Sequence, residues 1–107
     1  MIKIKFLLAA FILVFIPTLM AQKVKTGIEV LKEQNFALLK GKRVGLITNP
    51  TGVDSQLNST IDLLHNSKNV KLVALYGPEH GVRGDFDAGE QVASSTDQRT
   101  GVPVFSL

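Results

Sequence analysis

The 107-residue chain predicts an α/β fold: a parallel sheet built on one βαβ unit and left incomplete, as the N-terminal part of a larger domain. Three features carry that prediction. Two short apolar runs, at 42–48 and 69–76, flank a helix-forming stretch within about 35 residues, a spacing at which a crossover brings the second strand parallel to the first. A third run with strand composition follows at 102–106. Between the last two lies a stretch, 76–101, that holds five of the nine glycines and shows no sustained period. Such a connection is too long for a plain linker in a compact domain, and loops of that kind usually carry function.

The first 21 residues read as an address rather than as part of the fold. Lys3 and Lys5 give a cationic start, residues 6–20 are apolar apart from Pro17 and Thr18, and small Ala21 precedes polar Gln22. That is the three-part layout of a secretory signal. The apolar run of roughly 15 residues falls short of the roughly 20 that cross a bilayer as a helix. Residues 1–21 are therefore expected to be a signal peptide and 22–107 the start of the domain. The mature protein is expected in the periplasm or outside the cell, with no stable membrane span. Lys3 and Lys5 also supply two of the three net positive charges, so no basic stripe points to nucleic acid. The chain has no cysteine, which excludes disulfides, zinc–thiolate sites and a thiol nucleophile.

Thr26 followed by Glu29 has the form of a capping box, and Ile28, Leu31, Phe36 and Leu39 recur at roughly helical spacing. These predict an amphipathic helix over 27–39, stopped by Gly41. The strand at 42–48 has an apolar centre, Val44, Leu46 and Ile47, that suits a sheet covered on both faces. A second helix is expected over 59–65, with Ile61, Leu64 and His65 on one side and His65 half-buried. Residues 69–76 form the second strand, rich in Val and Leu. Three parallel strands and two helices leave faces and edges of the sheet open, which parallel sheets rarely tolerate. Hence the reading as part of a larger domain.

Ligands of open α/β sheets lie at the carboxyl ends of the strands. Two segments fall there: Thr-Asn-Pro-Thr-Gly at 48–52 and Tyr-Gly-Pro-Glu-His-Gly-Val-Arg-Gly at 76–84. Pro78 stiffens the backbone before Glu79, between two glycines that permit close approaches. In a dry pocket Glu79 would have its pKa raised towards neutrality and serve as a general acid. His80 would orient it, bind substrate or share in proton transfer. The residues alone weigh this equally against a surface pair between Glu79 and Arg83. Asn49 and Thr51 are candidate ligand contacts, although Asn-Pro-Thr-Gly is also ordinary turn chemistry, the favoured reading. Asp85, Asp87 and Glu90 form an acidic cluster that offers a second carboxylate or, preferably, a solvated loop. With His65 and His80 the only histidines, a metal site lacks ligands, and no metal or cofactor is expected. The glycines at 41–45 lack the spacing and trailing Lys-Ser/Thr of a phosphate loop.

Several stretches in one order then resemble a known family: Gly-Ile-Glu-Val-Leu at 27–31, the run from 39 to 52, Leu-Tyr-Gly-Pro-Glu-His-Gly-Val-Arg-Gly at 75–84, Asp-Ala-Gly-Glu at 87–90 and the closing 100–107. The chain resembles the amino-terminal part of the exo-β-N-acetylmuramidase family, formerly a bacterial domain of unknown function. The most specific element is Gly-Pro-Glu-His-Gly at 77–81. The resemblance implies a Rossmann-like first domain with the active-site cleft and a second domain absent here. It implies removal of terminal N-acetylmuramic acid from the non-reducing end of peptidoglycan fragments, with muramyl saccharides as partners and Glu79 at the position of the proposed acid. Glu79 and His80 are then the catalytic candidates, and Asn49, Thr51, Arg83 and Glu90 the substrate-binding ones. Arg83 is the nearest cation for the lactyl carboxylate of muramic acid. The second role belongs either to another carboxylate, whose distance separates retention from inversion, or to the sugar's own 2-acetamido group. The fragment alone is expected to be inactive. The competing reading is a secreted module that binds wall sugars without cutting them, and release of product separates the two. A nucleotide-binding domain is disfavoured because neither strand end carries a glycine-rich fingerprint.

Overall fold

The computed structural model describes residues 23–78, 80–85, 87 and 94–107. The expected signal at 1–21 lies outside them. Among the described residues no helix is long and apolar enough to cross a membrane.

Helix α1 spans Gly27–Glu33. At its start the Glu29 carboxylate accepts from the Thr26 amide at 2.7 Å and from the Thr26 hydroxyl at 2.9 Å, closing the capping box from the glutamate side. The helix stops well before residue 39. Asn35 and Phe36 both take left-handed backbone angles, each with φ 53. The Asn35 amide donates to the Lys32 carbonyl (2.9 Å) and the Phe36 amide to the Leu31 carbonyl (2.7 Å), the paired bonds of a Schellman stop. A 3-10 turn, Ala37–Leu39, follows. The single helix expected over 27–39 is thus a helix, a reversal and a turn. The reversal also turns Phe36 inward, leaving it buried.

Strand β1 (Arg43–Ile47), helix α2 (Thr60–His65) and strand β2 (Lys71–Gly77) form the expected βαβ unit, with β1 and β2 parallel. Ser59 caps α2, its hydroxyl oxygen accepting from the Ile61 amide at 3.3 Å. Two further strands complete a sheet of order β1-β2-β4-β3. Strand β4 (Pro103–Ser106) runs parallel to β2, and β3 (Ser95–Thr96) runs antiparallel to β4 at the edge. The sheet is therefore mixed rather than wholly parallel, because the long connection makes a short hairpin before entering β4. The fold is an incomplete α/β domain, as the sequence predicts.

Ile61 from α2 packs with Leu75, Val82, Val102 and Val104, and Leu46 and Leu72 lie against this cluster. A register shift between Val44 and Gly45, opposite Leu72 and Ala74, lets Leu72 join the core face beside Leu75 despite the odd spacing. Only that face is covered among the described residues. On the other, Ile47, Tyr76 and Phe105 pair in register, the Tyr76 and Phe105 rings stack with centroids 5.5 Å apart, and Ile47 stays 68% exposed. Among the described residues α2 is the helix packed on the sheet and covers one face, so β1 is open on the other, as the count of strands and helices predicts. His65, expected half-buried, is exposed in the last turn of α2, where Ile61 and Leu64 alone supply the buried face.

Candidate functional site at the strand ends

Because β1 and β2 are parallel, both of their carboxyl ends open on the same rim of the sheet. The first loop is a self-contained turn. Asn49 Oδ1 accepts from the Thr51 amide at 3.1 Å and the Thr51 hydroxyl at 2.8 Å, and the Gly52 amide donates to the Asn49 carbonyl at 3.0 Å. This is an Asx turn, the local bonding that makes Asn-Pro-Thr-Gly a turn former. Both side chains remain exposed on the rim.

The second loop folds back hard on the end of β2. The Gly81 amide donates to the Pro78 carbonyl at 3.0 Å, and His80 sits at φ 72. Val82 then drops into the core. The return is so close that a Cβ on Gly77 would meet Val82 Cγ1 at 3.1 Å and Gly81 backbone carbon at 3.2 Å, so glycine is the residue that fits. Gly84, at φ +83, passes over Pro50 so closely that a Cβ there would lie 3.1 Å from the Pro50 ring. The loops after β1 and β2 therefore meet at Pro50 and Gly84 and form one continuous surface.

Arg83 anchors that surface. Its Nε and Nη2 donate to Asp97 Oδ1 and Oδ2 at 2.5 and 2.9 Å, a two-pronged pair, and Nη2 also reaches Asp62 Oδ1 at 2.8 Å. Thr100 adds its hydroxyl and amide to Asp97 Oδ2, at 2.5 and 3.1 Å. Asp62 is on α2 and Asp97 directly follows β3, so one guanidinium ties the rim loop to a helix and to the edge strand. The side chains are largely enclosed, Arg83 14% and Asp97 3% exposed. The hydrogen bonds from Arg83, joined by those of Thr100, hold the Asp97 carboxyl down at about 2. The same bond to Asp97, with Asp62 behind it, pushes the Arg83 pKa up. A cavity of about 480 Å³ opens beside the clamp, lined in part by Asp85, Thr96, Gln98 and Arg99.

The structure brings Asn49, Thr51, His80 and Arg83 to one rim. Glu79 and Glu90 lie outside the described residues. Arg83 faces Asp62 and Asp97 in an internal pairing that sets its charge against two carboxylates. Asp85 and Asp87 are exposed. The sequence does not single out Asp62 or Asp97: its one signal, Asp97 with Gly101 four residues on, outlines a turn and says nothing of Arg83.

The mixed sheet, its βαβ unit and the two loops that meet at its carboxyl rim define an α/β fold. Residues 44–107 match the N-terminal family described as exo-β-N-acetylmuramidase NamZ, and the chain belongs to that family. Over 85 residues it is 56% identical to the peptidoglycan β-N-acetylmuramidase NamZ of Bacillus subtilis strain 168, covering 79% of this chain and 20% of that protein. Its fold superposes on the crystal structure of a DUF1343 family protein from Bacteroides fragilis with a TM-score of 0.68 and 68% sequence identity. That match covers 77% of this chain and 20% of the other. The chain thus spans about a fifth of the length of each of these relatives.

Proposed function

We propose that the protein is an exported glycosidase that removes terminal N-acetylmuramic acid from the non-reducing end of peptidoglycan fragments. The observation that carries this reading is the 56% identity to a peptidoglycan β-N-acetylmuramidase across most of the chain. Export is supported by the cationic start and apolar run of residues 1–21. Glu79 is the general acid: it follows Pro78 at the carboxyl end of β2, where α/β folds place their chemistry. Breaking a glycosidic bond requires a proton for the departing oxygen, and a carboxyl of raised pKa delivers it. His80 assists that carboxyl. Asn49, Thr51 and Glu90 contact the sugar, the first two from the turn that meets Gly84 through Pro50. Peptidoglycan-derived muramyl saccharides are the substrates.

Glu79→Gln in the full-length protein tests the assignment. Hydrolysis of a muramyl-glucosamine disaccharide, whose leaving alkoxide needs the proton, is expected to fall by about 10²–10⁴-fold. Hydrolysis of a p-nitrophenyl muramide, whose leaving group departs without help, should fall much less. Normal turnover of the disaccharide by the variant would sink the acid role. Absence of any released sugar from the wild-type protein would leave a binding module instead.

A further inference from the structure

We propose that Arg83, Asp62 and Asp97 form a positioning clamp that holds the bend at 77–84 in the geometry its chemistry requires, and that Arg83 acts on turnover through this bend rather than by gripping substrate. The inference rests on the muramidase reading for its catalytic part and on the loop geometry for the rest.

The bend is fixed at three points of different kinds. Val82 is buried in the core and secures the middle of the loop by packing. The close return over Gly77 and the passage of Gly84 over Pro50 set its height above the sheet. Neither contact is directional. Arg83 adds directional bonds, because its planar fork reaches two carboxylates on two separate elements at once. A lysine at this position would keep the charge and lose the planar fork. The aspartates are the right partners for a fixed anchor. Asp97 is enclosed and further tied by Thr100, and Asp62 is borne by the same helix that supplies Ile61 to the core. Arg99 stands 3.3 Å from Asp62 Oδ2 but remains 69% exposed, so it neutralises the outer carboxylate without fixing the loop.

A donor attached to such a bend loses rate steeply when misplaced, since a displacement of about 1 Å costs on the order of 10²-fold. The effect falls where proton donation matters and is weak where the leaving group needs no proton. A destabilised or partly unfolded enzyme loses activity on both substrates alike. That difference separates positioning from simple structural support.

The test uses the full-length protein with Asp97→Asn, Asp62→Asn and Arg83→Lys, assayed on the muramyl-glucosamine disaccharide and the p-nitrophenyl muramide. For Asp97→Asn and Arg83→Lys, kcat on the disaccharide is expected to fall by about tenfold or more, with KM within about threefold and a much smaller loss on the aryl glycoside. Asp62→Asn should show the same pattern more weakly. Equal losses on both substrates would overturn the proposal, as would a raised KM at unchanged kcat, which would make Arg83 a substrate ligand. Wild-type rates in Arg83→Lys would also overturn it, since charge alone would then suffice. Amide hydrogen exchange over residues 77–84 supplies a readout independent of activity. Exchange at least about tenfold faster in Asp97→Asn is expected even if the wild-type protein proves to cut no muramyl bond, and unchanged exchange would overturn the clamp.

Discussion

Asp97 owes its charge at low pH to its neighbours. Arg83 donates to both carboxylate oxygens and Thr100 adds two more bonds, so the group titrates at about 2 instead of the ordinary 3.8. A carboxyl whose folded pKa is depressed stabilises the fold fully above its unfolded pKa and loses that contribution as the pH falls through the folded value. The window for Asp97 therefore lies between about pH 4 and about pH 2. Denaturant unfolding of the full-length protein at a series of pH values measures it against Asp97→Asn, which has nothing to titrate. Between about pH 5 and about pH 2, wild type is expected to lose about 2 kcal/mol more than the variant. Parallel stability curves would show that Asp97 is not held in its charged form. Glu29 adds to acid sensitivity in the same direction, since bonds from Ser55 and Thr26 hold it at about 2. Comparing the two proteins cancels that shared contribution.

The elements differ in how plainly the sequence announces them. The two apolar runs and the Ser59-capped helix between them were legible because burial, capping and crossover length agree, and each is decided by residues close together in the chain. The end of α1 was not. Its stop is Asn35 in the left-handed region, and an asparagine there is a weaker signal than the glycine six residues on, while Phe36 and Leu39 keep the apolar spacing going past the break. Strand β3 is not legible in the sequence because two residues are too few to show alternation. The clamp at the rim joins residues 14 and 21 positions apart, a pairing that only the folded sheet reveals. The helix stop is testable by itself. Asn35→Ala keeps the β-carbon in left-handed backbone but loses the short polar side chain that makes asparagine tolerant of it, and is expected to destabilise the protein by about 1 kcal/mol, whereas Asn35→Gly should be neutral or stabilising. The order of the thermal midpoints checks it, and an alanine variant as stable as wild type would mean that the Schellman stop does not set the end of α1.

For the molecule as a whole, the open face of the sheet and the composition of the rim lead to one expectation. Ile47, Tyr76 and Phe105 form an apolar band in register on the face opposite α2, and parallel sheets bury both faces. The rim, for its part, presents two loops drawn together at Pro50 and Gly84, whereas the proposed glycosidase activity also needs a second group to act on the anomeric carbon and walls that exclude water. Relatives are about five times longer than this chain, enough polypeptide to provide both. Residues 22–107 alone are therefore expected to release no sugar from either the disaccharide or the p-nitrophenyl muramide, under conditions in which the full-length protein acts on both. The activated substrate is the stricter probe, because it needs no acid and separates the need for a second group from any misplacement of Glu79. Turnover of the p-nitrophenyl muramide by the short chain would place the whole reaction centre on these two loops and overturn the expectation.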